Sequence, residues 1–200
     1  MPFDIDRFDA EPLVTERMVL RPVGESDVAD VWEYQRLDDV LRYIPWPQRS
    51  PQEGAEHTRT RAGLRRLADD GDAVFFACVL PAEPSLFGDG SGRVIGDVML
   101  RLGSVETADV EIGWVFHPDF AGRGYATEAA AAVLALAFTD LEAHRVHAEL
   151  DPRNTASAAL CERLGMRHEG TTRETFYDKG EWSDAALYAV LRSEWAAVAR

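Results

Sequence analysis

The stretch VEIGWVFHPDFAGRGYATEA, residues 110–129, decides how this chain folds. Val110, Ile112, Trp114 and Phe116 alternate with Glu111, Gly113 and Val115 at the two-residue period of a strand, and Pro118 ends it by removing a backbone donor. Gly122 and Gly124 allow a turn that brings backbone close to a ligand. Thr127 and Glu128 then open AAAAVLALAF, 129–138, which reads as a helix. The first amides of such a helix lack partners within it and carry the positive end of its dipole. Strand, turn and helix together make an anion site that suits a pyrophosphate.

Ala121-Gly122-Arg123-Gly124-Tyr125-Ala126 resembles the acyl-CoA-binding signature of the GCN5-related N-acetyltransferases, Gln/Arg-x-x-Gly-x-Gly/Ala after a strand, with Ala121 where Gln or Arg is usual. Its continuation through Ala129 resembles the RimJ/RimL-type branch. Two further blocks are similar to that branch: LVTERMVLRPV (13–23) to Leu-x-Thr-x-Arg-Leu-x-Leu-Arg-Pro, and NTASAALCERLGM (154–166) to Asn-x-x-Ser followed by Glu-Lys-x-Gly-Phe. The resemblance covers nearly the whole chain. It implies an α/β fold with a mixed, mostly antiparallel central sheet of about seven strands, splayed at the acyl-CoA site, and helices on both faces. It also implies direct transfer of an acetyl group from acetyl-CoA to a primary amine, either a protein N-terminus or a small molecule.

The same resemblance implies where the cofactor lies. Gly122, Arg123, Gly124, Ala126 and Thr127 would meet its phosphates, and the backbones of Trp114, Val115, Phe116 and His117 its pantetheine amides, with one N–H there for a developing oxyanion. Asn154 and Ser157 would line the thiol. Glu111 is the expected general base, since an amine attacks only when neutral and a lysine amine titrates near 10.4; Glu174 is an alternative. Many relatives protonate the leaving thiolate from a tyrosine four residues before the helix-ending glycine, but that position here is Cys161. Ser157, on one helix face with Asn154 and Cys161, is therefore expected to donate the hydrogen bond or hold a water that does. Structural readings compete: Asn154 as a helix cap, Ser157 as a small packing residue, Cys161 as buried filler. The acceptor site is expected between the first two helices, segment 41–50 and loop 174–184, with Tyr43, Trp46, Phe176, Tyr177 and Trp182 as walls and Asp178, Glu181 and Asp184 for a cationic amine.

Length and composition bound these readings. Two hundred residues, 46% apolar, fit one domain over 1–200, with 1–12 as an N-terminal extension. The acidic start lacks the pattern of a signal peptide, and the longest apolar run is too short to cross a bilayer, so a cytoplasmic protein without membrane contact is expected, as monomer or homodimer. A net charge of −14, from 35 acidic and 21 basic residues, argues against nucleic acid as partner. Cys78 and Cys161 have no framework spacing, and His144 and His147 fall on opposite faces of a strand, so no metal is expected.

The remaining order reads as a strand at 17–23, helices at 26–39 (capped by Ser26) and 51–69, strands at 73–80 and 93–100 joined by a mobile loop 81–92, a strand at 109–117, a helix at 125–140, a strand at 145–150, a helix at 155–164, and strands near 166–175 and 185–192. Two rivals to an acetyltransferase stay open. Gly122-x-Gly124-x-x-Thr127 with Asp151 imitates a dinucleotide fingerprint, although too few residues follow for a second half. A CoA-binding sensor would keep the fold and lose the chemistry.

Overall fold

The computed structural model describes residues 3–86 and 92–198; residues 87–91 of the expected loop lie outside the described residues. In chain order the elements are β1 (Phe3–Asp4), α1 (Arg7–Ala10), β2 (Leu13–Val14), β3 (Val19–Pro22), α2 (Val28–Gln35), α3 (Asp38–Leu41), α4 (Pro51–Ala62), β4 (Arg66–Leu67), β5 (Ala73–Leu80), β6 (Arg93–Ser104), β7 (Asp109–Phe116), α5 (Tyr125–Thr139), β8 (Arg145–Leu150), α6 (Thr155–Arg163), β9 (Arg167–Asp178), β10 (Glu181–Leu191) and α7 (Arg192–Val198).

The apolar, β-branched runs of β5 and β6 are mostly buried on both faces and take the middle of the sheet. The main sheet has the order β2-β3-β5-β6-β7-β8-β10-β9 and eight strands, because Leu13 and Val14 pair with Leu20 and Val19 to add an edge. Every pairing in it is antiparallel except β7 with β8. β1 and β4 form a separate two-stranded ribbon.

Helices cover both faces. Against one face α5 buries Ala130, Val133, Leu134 and Ala137, packed with Val98, Leu100, Val110 and Ile112 of β6 and β7. Each full burial of a Val or Leu contributes about 1.5–3 kcal/mol. On the other face Val31 and Tyr34 of α2 meet Ala77, Val79 and Val115.

Local chemistry explains where the helices depart from the expected spans. Ser50 caps α4 through a reciprocal box: its Oγ accepts from Glu53 N at 3.3 Å and Glu53 Oε2 accepts from Ser50 N at 2.7 Å. The helix stops at Ala62 rather than 69, since Leu67 is drawn into the ribbon opposite Phe3. The expected helix 26–39 is split into α2 and α3 by the extended backbone of Leu37. Ser26 does not cap it; buried Asp27 anchors that corner instead, accepting from Gly24 N and from both terminal nitrogens of Arg21, each at 2.7 Å.

Residues 3–10 are packed onto the domain. Phe3, Ile5 and Phe8 are buried, and Phe8 meets Phe76 of β5 edge-on with ring centroids 5.6 Å apart. Arg7 pairs with Asp140 at the end of α5, and Arg65 with Asp6 and Asp9. Phe8→Ala is therefore expected to lower the unfolding free energy by about 3–5 kcal/mol in urea titrations; an unchanged midpoint would show that this segment adds nothing to the core.

Candidate active site

β7 and β8 share three pairs, Asp109↔Arg145, Val110↔Val146 and Glu111↔His147, and then part. From there β7 follows β6 as far as Gly96↔Phe116, while β8 follows β10 as far as Ala186↔Leu150. Their facing backbone edges run on without pairing each other. The N–H of His117 donates to Ile95 O at 2.8 Å, and its carbonyl accepts from Phe120 N at 3.1 Å. Backbone groups alternate sides along a strand, so Val115 also turns toward β6, and Trp114 and Phe116 face the opening. Of the four expected main-chain partners, Val115 and His117 are thereby corrected: their donors belong to the sheet, and only the Trp114 and Phe116 backbones face the opening.

At the C-terminal end of β7 the chain makes the expected turn. Gly122 and Gly124 hold φ of +73° and +83°, left-handed values that favour glycine, and Gly124 is the N-cap of α5 with no side-chain cap. A Cβ built on Gly122 would meet nothing within 4 Å. The turn presents bare backbone and the first amides of α5, which fits a pyrophosphate. Its shape is held by residues whose role the sequence did not disclose. Glu128 Oε1 accepts from Thr15 Oγ1 at 2.6 Å and Arg17 N at 2.8 Å, and Oε2 from Arg17 Nε at 2.7 Å; Arg17 Nη1 also donates to Arg123 O at 2.7 Å. Burial acts to raise the Glu128 carboxyl, but these bonds outweigh it and hold it below its ordinary value. Arg163 Nε donates to Thr127 Oγ1 at 3.2 Å, so all three sequence blocks meet at this turn. Arg123 is exposed beside the Phe120 ring, and Ala126 packs against the core.

A cavity of about 360 Å³ lies over the opening between β7 and β8. Glu111, Trp114, Val115, Asn154 and Ser157 line it, as do Tyr43, Trp46 and Phe176, three of the five expected acceptor walls. Trp114 Nε1 donates to Ser157 Oγ at 3.2 Å, which leaves the hydroxyl proton of Ser157 to point elsewhere. Asn154 caps α6 by accepting from Ser157 N at 3.1 Å. Glu111 pairs with Arg101 of β6 at 3.3 Å. Cys161 is fully buried, and burial pushes its thiol up to about 12, so it packs α6 as a protonated thiol.

Two expected walls lie outside the cavity. Trp182 and Tyr177 are register partners, so their side chains share one face, and their rings meet at a tilt in solvent, with centroids 5.1 Å apart. The next pair, Ser183 and Phe176, turns the other way and lines the cavity. Glu174 also lies outside the lining; its N–H donates to Asp184 at 2.9 Å beside a bulge. Asp178, Glu181 and Asp184 do line it. The mouth is clasped by pairings that residue type alone did not foretell. Lys179 Nζ donates to the carbonyls of Leu41 and Ile44 at 2.8 and 2.6 Å, and Arg153 bridges Asp151 and Glu181 at 2.6 and 3.0 Å. Behind the wall, buried Asp97 accepts from Tyr34 Oη at 2.6 Å and pairs with Arg61. Among the described residues no group of His, Cys, Asp and Glu is placed to hold a metal ion, and no helix is long and apolar enough to cross a membrane.

Residues 17–167 match the acetyltransferase (GNAT) domain family. The chain belongs to that family. It is 31% identical over 183 residues to the uncharacterized N-acetyltransferase YnaD of Bacillus subtilis (strain 168), covering 92% of this chain and 98% of the relative. It is 25% identical over 189 residues to the ribosomal protein uS5-alanine N-acetyltransferase of Escherichia coli (strain K12), covering 92% of each. Among solved structures, an acetyltransferase (GNAT family) from Bacillus anthracis superposes with a TM-score of 0.77 at 30% identity, covering 92% of this chain and 99% of the other.

A histidine packed behind Trp46 has a pH signature. His57 packs edge-on against Trp46 at 5.3 Å, with Nδ1 3.2 Å from Gln35 Oε1. Burial first, then the charges of Arg49 and Arg61, push its imidazole from an ordinary 6.5 down to about 4. Between those values the unfolded chain binds a proton that the folded chain refuses, so this group's effect is to lower stability as pH falls through that window. His57→Gln should flatten that loss when urea stability is compared at about pH 7 and about pH 5; equal losses in both proteins would refute the assignment.

Proposed function

We propose that the protein is a cytoplasmic, RimJ/RimL-like N-acetyltransferase that moves an acetyl group from acetyl-CoA to a primary amine, a protein N-terminus or a small molecule. The observation that carries this reading is the parting of β7 from β8 beside the left-handed glycine turn. It offers an unpaired backbone edge to the pantetheine amides and α5 amides to the phosphates, and it opens on the carboxylate-lined cavity. Cys78 and Cys161 are unpaired and buried, in keeping with a reducing compartment.

In this reading Trp114 and Phe116 orient the thioester through their backbones, and a main-chain N–H on that edge meets the charge that develops on its oxygen. Glu111 takes one proton from the acceptor ammonium, the neutral nitrogen forms the C–N bond, and the C–S bond breaks. The second nitrogen proton reaches the departing thiolate by way of the Ser157 hydroxyl, which the Trp114 indole orients.

The test is mass spectrometry of products after incubation with acetyl-CoA and panels of peptides and small amines, alongside release of free thiol. Acetylated amine is expected; binding of acetyl-CoA with no product from any amine would favour a sensor. Glu111→Gln should lower kcat by about 10²–10⁴-fold, with acetyl-CoA affinity little changed and partial recovery at higher pH. A wild-type rate and pH profile in that variant would remove Glu111 as base.

A further inference from the structure

Seven carboxylates line the cavity, against four cationic side chains. Six of the seven are already engaged. Asp97 is held by Arg61 and Tyr34, Glu111 by Arg101, Asp151 and Glu181 by Arg153, Asp178 by Lys179, and Asp184 by the N–H of Glu174. The Glu149 carboxylate on β8 has no hydrogen-bond or ion-pair partner among the described residues, and Glu149 is exposed and lines the cavity.

Its place in the sheet is particular. β7 and β8 separate after Glu111↔His147, and Glu149 is two residues further along, on the same face as His147 and therefore as Glu111. The position across the opening is Gly113, which has no side chain to fill the space; a Cβ there would already lie 3.2 Å from Met99 Cε. On its other side Glu149 is in register with Leu187 of β10, which offers no charge. The unpartnered carboxylate thus stands at the edge of the gap where the thioester is proposed to lie, with open space before it and Glu111 diagonally across.

We propose that Glu149 is the residue that recognises the acceptor: its carboxylate holds the incoming ammonium at the opening before Glu111 takes the proton. Glu111 already shares its charge with Arg101, so the attraction that selects a cationic amine over a neutral nucleophile comes from Glu149. The proposal rests on the amine-acetylating reading above.

The test is steady-state kinetics of thiol release at saturating acetyl-CoA, with alkylammonium acceptors and with an arylamine that is uncharged at neutral pH. Glu149→Gln is expected to raise KM for alkylammonium acceptors by about 10–100-fold, the scale of one hydrogen bond to a charged group, while kcat stays within about threefold. KM for the uncharged arylamine should not move. Added salt should raise the wild-type KM for the cation more than that of the variant. An unchanged KM, or an equal rise for the uncharged amine, would overturn the assignment, as would a fall in kcat at constant KM, which would make Glu149 the proton acceptor. A wild-type protein that binds acetyl-CoA in calorimetry yet acetylates no amine would overturn the transfer reading itself.

Discussion

The parting of β7 from β8 after three pairs is the constraint on which the rest of the molecule depends. A backbone edge inside a protein must find partners or water. Here the two edges keep their outer partners, β6 and β10, and their inner groups turn toward a cavity instead of each other. The sheet thereby stays continuous in order while it opens in the middle. Everything that fits a CoA thioester gathers at that opening: the backbones of Trp114 and Phe116, the bare glycine turn before α5, and Ser157 at the start of α6.

The opening is braced from several directions. Glu128, Thr15 and Arg17 tie the glycine turn to the β2–β3 connection, and buried Asp97 joins α2 and α4 to β6 through Tyr34 and Arg61. Arg153 and Lys179 close the mouth by linking the β8–α6 connection, segment 41–44 and the β9–β10 hairpin. Such an arrangement spends most of the cavity's carboxylates on shape. The overall charge of −14 consequently says little about the site, where pairing decides which carboxylate can meet a ligand.

Most of the fold was legible because period and punctuation are local. The alternation of 110–116, the glycines of 122–124 and the alanine-rich run after them place β7, the turn and α5 within a residue or so. What was not legible depends on pairing between distant segments. Tyr177 and Trp182 look like walls by residue type, yet their register puts them on the solvent face. Val115 and His117 look like cofactor partners until the bond from His117 to Ile95 shows which side of β7 faces the gap. Thr15 and Arg17 belong to the block 13–23, but their role is not local: they act through Glu128, more than a hundred residues away, and Glu149 stands out only because its neighbours in the cavity are paired.

The central claim is that acetyl-CoA occupies the opening by pairing with the inner edge of β7. Backbone amide NMR with acetyl-CoA added tests it most directly. The account predicts that the Trp114 or Phe116 amide, together with those of residues 124–126, shifts and becomes protected from exchange, whereas His117, already bonded to Ile95, changes little. Perturbations that leave Trp114 and Phe116 untouched and collect elsewhere, such as on β9, would contradict it.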